Sequence, residues 1–199
     1  MKITWYVFIV NLFFISACLF NDIEYETEKN GSNIMNQINE EIFEKTVVFS
    51  HTEFLENRGQ LNNEVILYYS YFSDGIIGFS ESTISLFLPD YTEIIECSFS
   101  NANNVLPQAI EETKTNCNYF QGDQAIRNVR CFKKIIYENL WAGIDLIYKG
   151  SENGIKYEFH ISPYTDPSII EISVKGEKFL SIHPDFVEIA LTNGKNLYD

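Results

Sequence analysis

Apolar residues recur at every second position through most of the chain after residue 46, and that period predicts strands. The cleanest run puts Ile155, Tyr157, Phe159 and Ile161 on one face and Lys156, Glu158, His160 and Ser162 on the other. Ile170, Ile172 and Val174 alternate with Glu171, Ser173 and Lys175, and Val187, Ile189 and Leu191 with Phe186, Glu188 and Ala190. Earlier, Ile84, Leu86 and Leu88 alternate with Thr83, Ser85 and Phe87, and Ile95, Cys97 and Phe99 with Ile94, Glu96 and Ser98. One packed face and one wet face is the antiparallel habit. Val65 to Phe72 is apolar in both phases, which predicts burial on both sides. Turn signals separate these runs: Asp74-Gly75, the stretch Gly150 to Gly154, and the proline-bounded Ser162 to Pro167. The expected fold is all-β, an antiparallel sandwich or barrel-like body of many short strands.

Residues 1–45 break the pattern. Lys2 is followed by the apolar Tyr6-Val7-Phe8-Ile9-Val10 and Leu12 to Ile15, then by Ser16-Ala17-Cys18. A positive start, an apolar middle and a small-residue exit predict a signal peptide over residues 1–20. Ile15-Ser16-Ala17-Cys18 is lipobox-like, which makes Cys18 a lipidation candidate; plain secretion and an uncleaved anchor are the competing readings. The apolar stretch is short for an anchor, since a spanning helix needs ~20 residues. Residues 21–45 read as a polar acidic tether, with Ile34, Ile38 and Ile42 spaced for a short helix over 33–44. Asn30-Gly31-Ser32 is a glycosylation sequon where the host has that machinery. Residues 46–199 form the expected β-rich surface domain. Asn193-Gly194 is a strong hairpin turn with only Asn196 to Asp199 left to return, so a domain truncated at its C-terminal end is expected.

Charge narrows the partners. Lys and Arg number 14 against 28 Asp and Glu, a net charge of −14. Nucleic acid is therefore not an expected partner, because its binding rests on neutralising phosphates. Contact with a membrane is expected only through the leader or a lipid on Cys18. With 16 Phe and 12 Tyr the chain is too aromatic to stay disordered. Cys97, Cys117 and Cys131 are an odd number in an oxidising compartment, and the sequence leaves their pairing open. Cys97 shares the phase of Ile95 and Phe99 and should face the core.

Several stretches carry a family resemblance. Phe54, Glu56, Asn57, Arg58, Gly59 and Gln60 form an F-x-E-N-x-G-Q opening. Further on come Asn118-Tyr119-Phe120-Gln121-Gly122, and then Trp141-Ala142-Gly143-Ile144-Asp145-Leu146-Ile147-Tyr148 within an L-W-x-G-I-D-L-x-Y signature. Tyr157 to Pro163, with Asp166-Pro167, adds a further match. This set resembles the N-terminal β-rich domain of bacterial and archaeal cell-surface proteins that often carry SBBP-type β-propeller repeats. The resemblance covers about Val48 to Leu191. It implies an extracellular module of unassigned biochemistry, with no catalytic residue to carry over; Cys117 and Cys131 are additions to its pattern.

Read physically, Glu56 to Gln60 is a loop fixed by a Glu56–Arg58 pair and by side-chain bonds to backbone, with Gly59 free to take positive φ. Trp141 to Asp145 reads as a tight corner, with Trp141 as a core plug and Asp145 bound to Lys149, to backbone amides, or to a calcium ion if several oxygens cluster there. The chain lacks the nucleophile elbow, the zinc-protease helix motif and both glycine-rich phosphate loops. No catalytic, cofactor-binding or metal-ligating residue is assigned. The expected function is a non-catalytic extracellular or cell-envelope module of a surface or adhesin-like protein, meeting a protein or glycan. The alternative is a carbohydrate-binding or carbohydrate-processing envelope lipoprotein.

Overall fold

The computed structural model describes residues 6–10, 52–72, 75–89, 91, 94–121, 124–151 and 154–198, the first five by backbone alone. Cys18, the tether with its expected helix, the sequon and Gly122 lie outside the described residues. The described chain is all-β and antiparallel throughout, as the alternation predicts.

The strands run as β1 (Tyr6–Val10), β2 (Phe54–Glu56), β3 (Tyr68–Phe72), β4 (Gly75–Phe79) and β5 (Thr83–Phe87). They continue as β6 (Ile95–Ser100), β7 (Gln108–Gln121), β8 (Gln124–Trp141), β9 (Ile144–Ser151) and β10 (Gly154–Ile161). A 3₁₀ turn at Pro167–Ile169 leads to β11 (Glu171–Lys175), β12 (Phe179–Ile182), β13 (Val187–Ala190) and β14 (Asn196–Tyr198). The large sheet has the order β1-β10-β9-β8-β2-β3-β4-β5-β6-β11, with β7 alongside β8; β12, β13 and β14 form a small second sheet. The apolar start of the leader-like segment lies along β10, Tyr6 opposite Ile161 and Val10 opposite Tyr157.

The sheet is packed on both faces where the sequence predicts one wet side. Neighbouring residues of the central strands enter different clusters. Phe54, Tyr68, Ile77 and Leu86 join the main core, while Leu55, Tyr69, Ile76 and Phe87 join a second one on the opposite face. All five residues of β4 are buried, although its sequence of Gly and Ile gives no alternation. The expectation of two-sided burial for Val65 to Phe72 holds only in part. Tyr69 and Ser70 are fully buried, but Val65 is 69% exposed because the strand begins three residues later.

The main core closes because β4–β6 curl over β8–β10, giving a half-barrel. Aromatic rings make the join: Phe79 meets Tyr148 at 5.0 Å, and Phe99 meets Tyr137 at 5.2 Å and Trp141 at 5.9 Å, all edge-on. Such edge-to-face pairs add about 0.5–1.5 kcal/mol each beyond the burial of their area. Two polar handles are satisfied across the same seam. The Trp141 indole donates to the Ser100 carbonyl at 3.0 Å, and the Tyr137 hydroxyl to Ser80 O at 2.8 Å. The small sheet caps this core with Ile189, Leu191 and Leu197.

The strands are not uniformly short. β7 and β8 make one long ribbon, with β7 along one edge of β8 and β9 and β2 sharing the other. The polar run of β7, with Glu111, Glu112, Thr113 and Lys114, hides this strand from any search for alternation.

Candidate functional site

The motif residues gather at two places. The first is the loop after β2, where Asn57 acts as a local scaffold. Its Nδ2 donates to the carbonyls of Ile66 (2.9 Å) and Asn63 (3.0 Å), and its Oδ1 accepts from the backbone of Gly59 and Leu61, both at 3.2 Å. A side chain that supplies both turn donors and turn acceptors fixes a loop without regular structure. Gly59 takes φ +103°, the conformation the sequence reading reserves for it. Gln60 is buried, donating to Glu56 O at 2.8 Å and accepting from the Arg58 amide.

The expected Glu56–Arg58 pair is replaced by long-range partners. Glu56 takes a two-pronged bond from Arg130 on β8, at 2.8 and 3.1 Å. Arg58 reaches instead for the carbonyl of Arg127 at 3.1 Å. The reason is geometric: β2 lies against β8, so Arg130 presents a planar fork to the carboxylate. The Arg130 hydrogen bonds hold the Glu56 carboxyl below the usual range, against the opposing pull of its partial burial.

The hairpin of β7 and β8 completes this pole. Tyr119 and Ile126 pack on the second core cluster beside Cys117, and Arg127 lies over the Phe120 ring at 5.8 Å. Beneath Tyr119 the Tyr69 hydroxyl is buried without a hydrogen bond of good geometry, and the Tyr71 and Tyr119 hydroxyls are the polar groups facing it. Burial pushes all three phenols above their ordinary range. Cys117 and Cys131 bring their sulfurs to 3.5 Å across the same face. Cys97 sits elsewhere, half-buried against the main core as its phase predicts.

The second gathering is the corner between β8 and β9. Ala142-Gly143 turns the chain with Gly143 at φ +76°. Trp141, Ile144 and Tyr148 are buried in the main core, so Trp141 is the plug expected of it. Asp145 accepts from the backbone of Asn139 at 2.7 Å, and Asn139 Oδ1 accepts from Gly143 N at 2.8 Å. Of the partners expected for Asp145, the backbone amide is the one it takes. Lys149 bonds Glu158 at 2.6 Å instead.

A third feature escapes the sequence reading. The small sheet leaves apolar side chains uncovered along β12 and around β14. Ile182 is 81% exposed and Phe179 53%; Phe186 and Tyr198 are exposed at 40% and 42%. Three rings form a short stack here: His183 lies parallel to Phe186 at 4.3 Å, and Phe186 meets Tyr198 edge-on at 5.8 Å. Among the described residues no group of three metal-binding side chains converges.

A family model described as a domain of unknown function (DUF7948) matches residues 54–196, from the first motif phenylalanine to the last strand. No curated protein matches the chain, and no solved structure does.

Proposed function

The chain belongs to the DUF7948 family, and from that premise we propose that it is a non-catalytic interaction module exported to the cell surface or envelope. The observation that carries this reading is the uncovered aromatic pair Phe186 and Tyr198, with Phe179 exposed on the same face of the small sheet as Tyr198. Apolar side chains grouped on the outside of a folded body mark an interaction surface. Half-exposed rings give contact area with little rotamer entropy to lose. His183, Phe186 and Tyr198 also offer the ring faces that a sugar stacks against, so a glycan and a protein surface are the two partners considered.

The motif residues support a structural role. Glu56, Asn57, Gln60 and Asp145 spend their hydrogen-bonding capacity on Arg130 and on backbone groups. The leader-like residues 1–20, with Cys18 as the lipid acceptor, supply the export half of the reading. The resemblance to surface proteins bearing β-propeller repeats supports the same address.

The full chain, produced in a host with export and lipidation machinery, tests both halves. It is expected in the envelope fraction with its leader removed and with a lipid on Cys18. Binding is then measured on arrays of envelope glycans and of extracellular matrix proteins. Phe179→Ala, Phe186→Ala and Tyr198→Ala together are expected to weaken binding at least tenfold, about 1.4 kcal/mol, with folding retained. An intact leader in the cytosol would sink the export half, and turnover of a polymer would replace the module by an enzyme.

A further inference from the structure

From the placement of Cys117 and Cys131 we infer that they are a disulfide site, closed in the oxidised protein, that clamps β7 to β8 beneath the hairpin tip. The two sulfurs stand 3.5 Å apart on adjacent strands. A disulfide needs about 2.05 Å, so closing it asks the two sulfurs to approach by about 1.5 Å. The third cysteine of the body is no competitor. Cys97 packs on the main core, whereas Cys117 and Cys131 lie on the second cluster across the sheet.

The ladder gives the bond a purpose. The pairing of β7 with β8 shifts register between Glu112 and Asn116 and again between Cys117 and Tyr119. Cys117 therefore sits where regular cross-strand bonding is interrupted on both sides. A covalent link there holds Tyr119 over Tyr69 and Tyr71, and fixes the hairpin that carries Asn118 and Phe120. The inference does not rest on the interaction proposed above.

The chemistry balances with an external disulfide as the oxidant, either a protein oxidant of the export pathway or glutathione disulfide in vitro. The Cys117 thiol, less buried than Cys131, loses its proton and attacks the external disulfide, releasing one thiol and forming a mixed disulfide. The Cys131 thiolate then attacks Cys117 Sγ, making the new bond and expelling the second thiol. Two electrons pass to the external disulfide, and the two protons go to its two thiols. Burial holds the Cys131 thiol above its ordinary range, while its target sulfur lies on the adjacent strand, 3.5 Å away in the reduced protein.

Full-length protein is incubated with glutathione disulfide, alkylated under denaturing conditions and mapped by mass spectrometry. The peptides carrying Cys117 and Cys131 are expected as one linked species, lighter by two hydrogens than the sum of the reduced peptides, while Cys97 is alkylated. Cys97→Ser should leave the link intact. The oxidised form should melt about 5–10 °C above the reduced form, as a loop of this length predicts. Alkylation of both Cys117 and Cys131 after oxidation would overturn the inference, as would a link from either of them to Cys97 or Cys18.

Discussion

At the scale of single residues, the pole of the molecule formed by the first motif turns on Glu56. Its carboxylate is about three-quarters buried and meets an Arg130 side chain that remains half exposed. Solvent screening therefore limits the pair to about 1 kcal/mol. The Glu56 carboxyl titrates below its ordinary 4.5 in the folded chain. Its stabilisation is then fully present above that ordinary value and is lost as pH falls through the lower folded value. Glu56→Gln is expected to cost about 1 kcal/mol at pH 7 and almost nothing below the folded value. Urea midpoints measured across that range check it, and a cost unchanged by pH would show that the charge is irrelevant. Asn57 makes a sharper case for what sequence reading reaches. Its residue type and the glycine two positions on announce a side-chain-built loop. The partners of Glu56 and Arg58 lie about seventy positions away and are invisible to local spacing.

At the scale of elements, the corner between β8 and β9 is a tightly constrained turn. A methyl group on Gly143 would sit 2.6 Å from Thr165 Oγ1, and the backbone there is left-handed. Gly143→Ala is expected to destabilise by about 1–3 kcal/mol, read as a lower urea midpoint at constant slope. A neutral result would mean that the loop through Thr165 gives way freely. The corner was legible because Gly, Asp and the flanking strands all carry local signals. The β7–β8 ribbon was not, since a strand exposed on its outer face needs no apolar period. It is held by pairing along β8 and by a few side chains, Ala109, Cys117 and Tyr119, that pack on the core clusters.

At the scale of the whole molecule, the small sheet looks like an appendix but belongs to the core. Ile189, Leu191 and Leu197 are buried in the same cluster as Trp141 and Phe99. The Tyr91 hydroxyl ties this end down, donating to Gly176 O at 2.7 Å. Removing residues 179–199 is therefore expected to lower thermal stability and to raise binding of a hydrophobic dye, because core side chains lose their cover. An unchanged melting curve would mark the small sheet as an independent attachment. The same sheet presents the aromatic strip, so the surface proposed for binding is held by the scaffold's own packing.

Composition and alternation determined on their own that this is an antiparallel β protein. They determined its main turns, the tight corner at Gly143 and the buried role of Trp141. Those features follow from neighbours within a few residues, where side-chain period and backbone preference act directly. Tertiary structure alone decided that the central strands are buried on both faces and that Glu56 meets Arg130. It alone brought Cys117 to Cys131 and left Phe179, Phe186 and Tyr198 in solvent. Each of these depends on which strand lies beside or above which, and on where the covering layer stops. Local sequence encodes the face a side chain takes, while the cover over that face is set by segments far along the chain.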